Sequence, residues 1–399
     1  MHNTDVAIIG GGLAGSLTAA MLGRAGIDAI LVEPHPIYPP DFRCEKLDGD
    51  QVNVLRKTGL AEEILRETTH DRESWVARFG RIVDKRPGDQ QGIMYAPLVN
   101  CVRGLIPDKV TTIHTKARAI VTSDVRQHIT LSNGDEISAR LVVLANGLSV
   151  ALRDNLGIKR DVLSECHSIS IGFNALPVGR QSFSFPALTY YAEKTQERAA
   201  YITLFPIGNT MRANLFVYRT MDDPWLRQLR NSPQGTLYAM MPGLRQLMGE
   251  FQIDGQIQIR PVDLYVTSGY RQAGIVLVGD AFATSCPAAG NGARKVLNDV
   301  ERLCNAHVAG WLATPGMGVD KIAKFYDDPV KRASDDFSLA KAFSLRSFSI
   351  DPGLSWRARR WAKFMLQIGR WTFRRMFGPR PMRTTTLAGM PAATKAGSL

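Results

Sequence analysis

At 399 residues the chain exceeds what one hydrophobic core usually supports, and its 45% hydrophobic, 22% charged composition is that of a globular protein with two or more lobes. Five scattered cysteines (Cys44, Cys101, Cys166, Cys286, Cys304) form no C-x-x-C pair and seven histidines fall at no ligand spacing, so no metal centre is expected. The net charge of +12 is local: ten of the 49 basic residues lie between Pro352 and Leu399, where there is no acid. Residues 1–351 hold the other 39 against 37 acids, and no nucleic-acid partner is expected.

The first strand begins by Asp5, which predicts no signal peptide, and no apolar run approaches the ~18 residues of a membrane span. The expected location is the cytoplasm. "DVAIIGGGLAGSLTAAMLGRAGIDAILVEP" reads as a strand (Val6 to Ile9), a glycine turn, a helix (Leu13 to about Arg24) and a second strand (Ile27 to Val32). Gly10, Gly12 and Gly15 stand at the G-x-G-x-x-G spacing. The first permits the tight turn, the second lets backbone approach a pyrophosphate, and the third lets helix pack on strand. Leu13 and Ala14 open the helix, so its amides and dipole face the phosphates. Glu33 ends the second strand, where a carboxylate accepts bonds from both hydroxyls of an adenosine ribose and repels a 2′-phosphate. FAD and NAD both satisfy such a site; NADP does not.

Residues 72–95, with Trp75, Val76, Phe79, Ile82 and Val83, predict strands. Asn133-Gly134 marks a turn between alternating strands, and "LVVLANG" closes the region as another strand. From Cys166 to Val266, alternation and aromatic content predict an antiparallel sheet, interrupted by a helical interval at 224–250. "GIVLVGDAFATSCPAAGNG" (274–292) is a buried strand that delivers Asp280 to its own end beside bare backbone. A carboxylate there can bond the ribityl polyol, which FAD has and NAD lacks. Pro287, Gly290, Asn291 and Gly292 lead into a helix whose first amides would face the flavin pyrimidine edge and stabilise the anionic reduced ring.

V-G-D-A-F…P-x-x-G-x-G…N-D resembles the second FAD motif of the single-component aromatic hydroxylases, the p-hydroxybenzoate hydroxylase class, and the amino-terminal glycines resemble the first. Arg43, in "DFRCEKLDGDQVNVLRKTGL", resembles the family arginine ahead of a helix. The resemblance covers about residues 5–310. It implies an α/β fold: a Rossmann-type FAD-binding domain in three parts (1–71, 96–165, 269–330) with an inserted antiparallel substrate domain (72–95, 166–268) and a C-terminal helical region (331–378). It implies FAD as cofactor, NADH or NADPH as electron donor, and O2 activated as a flavin C4a-hydroperoxide that hydroxylates an aromatic, phenolic or polyketide/quinone-like substrate. Two positions depart from the family. Asn146-Gly147 replaces its Asp-Gly motif, which puts direct NAD(P)H use in doubt, and no arginine follows residue 96 until Arg103.

Tyr190, Tyr201, Phe205 and Phe216 are the pocket candidates, with Tyr191 and Tyr218 beside them. Tyr201 and His167 are the weak catalytic candidates, and Cys286 reads as a small buried thiol. No Ser/His/Asp arrangement stands out. Three alternatives remain: a reductase of the geranylgeranyl-reductase type, a flavin-dependent halogenase, and a non-catalytic flavoprotein. The halogenase is disfavoured because Trp-x-Trp-x-Ile-Pro is absent. In "LSWRARRWAKFMLQIGRWTFRRMF", Trp361, Phe364, Met365, Ile368, Trp371 and Thr372 fall on one side of a predicted helix, and Arg359, Arg360, Lys363, Arg370 and Arg374 on the other. That pattern predicts peripheral contact with an anionic membrane, or a docked helix with a solvated basic face. Residues 379–399 are expected to be a disordered tail.

Overall fold

The computed structural model describes residues 1–377; the side chains of Trp371, Arg374, Arg375 and Phe377, and the expected tail at 379–399, lie outside the described residues. In chain order, the strands used below are β1 (His2–Ile9), β2 (Ala29–Val32), β3 (Glu73–Arg78), β4 (Arg81–Pro87), β5 (Glu136–Leu144) and β6 (Lys159–Pro177). They continue with β7 (Ala187–Tyr191), β8 (Ala199–Ile207), β9 (Thr210–Val217), β10 (Phe251–Ser268) and β11 (Ile275–Leu277). The helices are α1 (Leu13–Arg24), α2 (Tyr95–Gly104), α3 (Gly292–Arg302), α4 (Pro329–Ile350) and α5 (Leu354–Phe377).

β1, with no residue exposed beyond Thr4, pairs in parallel with β2 on one side and β5 on the other, and β11 adds to β5 in parallel. Burial on both faces explains why these strands are continuous Val/Ile/Leu runs. Thr111–Ile113 extends the sheet beyond β2, and Gln127–Leu131 and Ala117–Val121 continue it beyond β5 as antiparallel strands. All parallel strands therefore point their carboxyl ends to one edge, where ligands of open α/β sheets bind.

A second seven-stranded sheet runs in the order β10-β6-β9-β8-β7-β3-β4. It is antiparallel except that β7 pairs β3 in parallel, because β3 arrives from a different part of the chain. Short helices between 224 and 248 cover one face and build a core with Ile169, Ile171, Phe173, Leu204 and Leu215. The other face looks toward the β1–β5 edge. α4 and α5 close the remaining side: Phe364 of α5 is buried with Val76 and Val83 of the second sheet, next to Phe79.

Candidate active site

At the β1–α1 turn the backbone leaves no room for side chains. Gly10 adopts φ +103°, and a Cβ on Gly15 would stand 1.8 Å from the Gly10 carbonyl oxygen. Gly12 differs: a Cβ there would meet nothing closer than 4.0 Å. Its space opens outward; Gly12 offers no cap to α1, and the Leu13 amide meets only the Tyr95 hydroxyl, at 3.5 Å. Glu33 is buried beside the turn and accepts from the Gly11 amide at 2.7 Å. Arg103, at the end of α2, reaches the Gly11 carbonyl oxygen through Nε (2.9 Å) and Nη2 (2.6 Å). No arginine stands near residue 96; Arg103, at the other end of the same helix, ties α2 to the glycine turn.

Across the sheet edge, Gly279 (φ +62°) turns β11 so that Asp280 meets Arg43: Nη1 donates to Oδ2 at 2.8 Å. Arg43 Nε donates to Asp41 at 2.5 Å, and Arg260 of β10 donates to the other Asp41 oxygen at 2.7 Å. Burial works against the Arg43 charge, but Asp280 and its other neighbours outweigh burial and raise its pKa. Asn291 sits where α3 begins, with no side-chain cap and its amide nitrogen Nδ2 buried without a partner. Two uncapped helix N-termini, α1 and α3, therefore open on one cavity of about 610 Å³, lined by Leu13, Arg43, Asp280, Pro287, Gly290 and Gly292 among others. These features suit FAD: an open glycine for the pyrophosphate, a carboxylate for the polyol, and a second helix start for the ring. Glu33 does not line this cavity; its Oε2 accepts from the Gly11 amide and its Oε1 from the His35 amide at 3.0 Å.

The second sheet forms the opposite wall, and its register sorts the wall into two rows. Ser170 pairs Phe216, Phe216 pairs Tyr201, and Tyr201 pairs Tyr191, so four strands present one transverse row. Two residues along, Gly172, Asn214, Thr203 and Thr189 make a parallel row. The first is aromatic, with ring centroids 5.0 Å (Tyr201–Phe216) and 5.7 Å (Tyr191–Tyr201) apart. The second is polar. Its Thr203 Oγ1 and Asn214 Oδ1, like Ser170 Oγ at the end of the first row, are buried and have no hydrogen-bond partner, while the Asn214 side chain also bonds Glu45. All line the cavity except Gly172. The Tyr201 hydroxyl donates to the Ala288 carbonyl oxygen, fixing the row to the Pro287 loop.

The other expected residues lie elsewhere. Tyr190 points to the far face of the sheet, inside the core under the 224–248 helices, where its hydroxyl accepts from the Gly80 amide and donates to Glu193. Phe205 shares the phase of Tyr201 and Thr203, but the Lys46 ammonium covers its ring at 4.9 Å and it does not line the cavity. His167 is buried edge-on to Phe343 and Tyr218, outside the cavity lining. Burial, then Arg346, lower its pKa to about 4, so it is neutral and positioned for no proton transfer at the cavity. Cys286 is buried with Sγ 3.5 Å from Ser168 Oγ, and burial raises its thiol pKa. Asn146 precedes Gly147 (φ +58°), with its Oδ1 buried and unpaired.

The C-terminal helix corrects the expected division into apolar and basic sides. Arg360, assigned to the solvated side, is buried and donates to the Phe348 carbonyl oxygen at 3.0 Å. Lys363, assigned there too, is exposed as expected, and it also borders the cavity, its ammonium 4.9 Å from the Phe348 ring and 5.7 Å from the Tyr191 ring. Phe364 is buried, whereas Met365, Leu366, Phe373 and Met376 are exposed. No described helix is long and apolar enough to cross a membrane.

Known proteins share this arrangement. A family model described as FAD binding domain matches residues 3–94 and 103–310. The chain is 24% identical over 367 residues to 3-demethoxyubiquinol 3-hydroxylase of Escherichia coli K12, covering 86% of this chain and 88% of that one. Its fold matches the crystal structure of p-nitrophenol 4-monooxygenase PnpA from Pseudomonas putida DLL-E4 with a TM-score of 0.75 at 17% identity, covering 94% and 97% of the two chains. It matches the flavin-dependent brominase Bmp2 with a TM-score of 0.66 at 17% identity, covering 92% and 94%. With a family model spanning most of its length, on motifs that meet around one cavity, the chain belongs to the FAD binding domain family, in its class A aromatic-hydroxylase group.

Proposed function

We propose that this FAD-dependent monooxygenase hydroxylates an aromatic, phenolic or polyketide/quinone-like ring lying along the Phe216–Tyr201–Tyr191 row, with NADH or NADPH as electron donor. One observation carries the reading: two uncapped helix N-termini and Asp280 open on the same cavity as an aromatic sheet row. When bound, FAD supplies the redox chemistry, taking up electrons and activating O2 for insertion of one oxygen atom into an electron-rich ring. The chain's residues do the rest. The N-termini of α1 and α3 favour negative charge on the pyrophosphate and the reduced ring. The sheet, α4 and α5 wall the cavity against water. Ser170, Thr203 and Asn214 offer unpaired hydrogen-bonding atoms to a substrate hydroxyl or carbonyl, which relieves the penalty of leaving them buried alone. Tyr201, its hydroxyl pKa raised by burial, stays protonated and holds the Pro287 loop.

The test is product analysis under 18-O2 with NADH or NADPH and a panel of phenols. One labelled oxygen per product supports hydroxylation. Donor oxidation with an unlabelled, reduced product replaces it with the reductase reading, and a halide-dependent product with the halogenase reading. The fold alone separates none of these, since hydroxylase and brominase share it.

The cavity faces α5, whose outer side exposes Met365, Leu366, Phe373 and Met376 alongside Arg359 and Arg370. Apolar and basic residues together on an exposed helix support peripheral contact with an anionic membrane, through which a lipophilic substrate would reach the enzyme.

A further inference from the structure

We propose that a cleft between α5 and the β3–β4 hairpin is a binding site for a phosphate group, and that an anionic lipid supplies it. This rests on the membrane contact of α5 read above and names what that contact holds.

The cleft has a volume of about 380 Å³ and shares no lining residue with the cofactor cavity. Three arginines border it: Arg78 at the end of β3, and Arg357 and Arg360 of α5. Among the described residues none of the three has a carboxylate within ion-pair distance. Arg78 Nε is buried without a hydrogen-bond partner, and the guanidinium lies only over ring faces, 4.9 Å from Phe79 and 5.9 Å from Phe364. Arg360 is buried too, with one Nη donating to the Phe348 carbonyl oxygen. The acids nearby are engaged elsewhere. Glu193 Oε1, at the cleft, accepts from the Tyr190 hydroxyl and the Gly243 amide, and Asp351 Oδ1 accepts from the Gly353 amide.

Like charges gathered in this way repel. Burial, then the Arg360 charge, lower the Arg78 pKa; burial lowers that of Arg360, where Asp351 opposes the shift and Arg357 adds to it. A guanidinium does not escape by losing its proton, so an anion is what relieves the cluster. Arginine forks match phosphate oxygens in pairs. The rim points to a lipid. Phe79, held at φ +52° in the hairpin turn, stacks on Trp361 at 6.2 Å, and Trp361 is half exposed one helical turn from exposed Met365. A headgroup in the cleft would leave its acyl chains against this apolar strip.

The experiment is titration calorimetry of FAD-loaded, full-length protein with dihexanoyl phosphatidate kept monomeric. The comparisons are dihexanoyl phosphatidylcholine, whose headgroup has no net charge, and inorganic phosphate, which has no chains. Phosphatidate should bind one to one, about 10- to 100-fold tighter than either, the range of one charge-assisted hydrogen bond. Arg78→Met and Arg357→Met should each weaken it about 10-fold or more, and Arg78→Lys, which keeps the charge and loses the fork, by less. Melting of Arg78→Met without lipid should stay level or rise, because no carboxylate is left behind; a fall would mark a packing role and count against the site. Equal affinity for phosphatidate and phosphatidylcholine, or affinity untouched by Arg78→Met, would overturn the site. Inorganic phosphate binding as tightly as phosphatidate would overturn the lipid as its source. Vesicles separate the two readings: wild type that pellets with anionic vesicles but ignores phosphatidate overturns the site alone, and wild type that does neither overturns the membrane contact as well.

Discussion

Replacing Asp280 by alanine separates cofactor binding from folding, and the geometry gives the size of each effect. The carboxylate has one side-chain partner, Arg43, and both groups are partly open, at 30% and 24% exposure. Its loss does not orphan Arg43, because Asp41 still holds Nε at 2.5 Å. The turn also keeps its anchor, since Tyr265 and Arg153 bond the backbone carbonyl of residue 280 and not its side chain. A partly exposed pair of this kind contributes about 1 kcal/mol or less to stability. Without FAD the variant should therefore melt within a few degrees of wild type. Binding is another matter. If the carboxylate accepts from the ribityl chain, one charge-assisted bond of ~1.5–3 kcal/mol is lost, so FAD affinity falls about 10- to 150-fold. Titration of FAD-free protein by quenching of free-flavin fluorescence measures the first quantity, and circular-dichroism melting the second. Unchanged FAD affinity, or a collapse of FAD-free stability matching the loss of affinity, would refute the assignment.

The glycine turn offers a sharper contrast between neighbours. Gly12→Ala should leave FAD-free melting unchanged and abolish yellow colour, because its Cβ clears the protein by 4.0 Å and intrudes only on the ligand side; Gly15→Ala, whose Cβ would stand 1.8 Å from a carbonyl oxygen, should fail to fold. A coloured Gly12→Ala protein would move the pyrophosphate elsewhere. For the membrane, truncation would remove Lys363 and the cavity wall with it, so Met365→Ser, Leu366→Ser and Met376→Ser are combined instead. Co-sedimentation with anionic liposomes should fall in the triple variant and with rising salt, while indifference to either leaves α5 as a docked helix alone.

Much of the cofactor site was legible because it is local. A tight turn, a close backbone approach and a helix start each demand particular residue types within a few positions, and Gly10, Gly12 and Gly15 are read on that ground. The Arg43–Asp280 contact joins residues 237 apart and has no local signature. The pocket wall was half legible. Tyr190 and Tyr191 look alike in sequence because both faces of their sheet are covered, one by helices and one by the cavity, so no polar alternation reveals which tyrosine faces which. Phase would have found the polar row: Thr203 is two residues from Tyr201, and Asn214 two from Phe216. Arg360 was misplaced for a different reason. An acid-free charge run reads as a solvated face, and Lys363 is indeed exposed, but Arg360 is buried and finds a backbone carbonyl.

What makes cofactor turn and C-terminal helices one unit is a buried ion cluster. Asp299 of α3 is fully buried and accepts, each at 2.9 Å, from the Gly279 amide, Lys295 Nζ and Lys331 Nζ; Lys331 belongs to α4. Asp335 adds a second carboxylate, 3.0 Å from Lys331 and 3.4 Å from Lys295, so the four charges balance. Asp299→Ala would strand two buried lysines and the amide that shapes the turn before Asp280. Breaking a buried network on one side costs about 3–5 kcal/mol, a large share of an ordinary stability. The pH dependence gives the check. Burial alone would raise the Asp299 pKa, but Lys295 and Lys331 outweigh it and hold it below the usual carboxylate value. Its contribution is thus complete above the unfolded value of ~3.9 and is lost as pH falls through the depressed folded one. Lys295 runs oppositely: Asp299 and Asp335 overcome burial and raise it, so its contribution is complete below ~10.4 and is lost only as pH rises beyond. The stability gap between wild type and Asp299→Ala, from denaturant melts of FAD-free protein, should therefore be flat between about pH 5 and 9 and narrow below about pH 4. A gap that changes steeply near neutrality would mean that other groups hold this turn to α4.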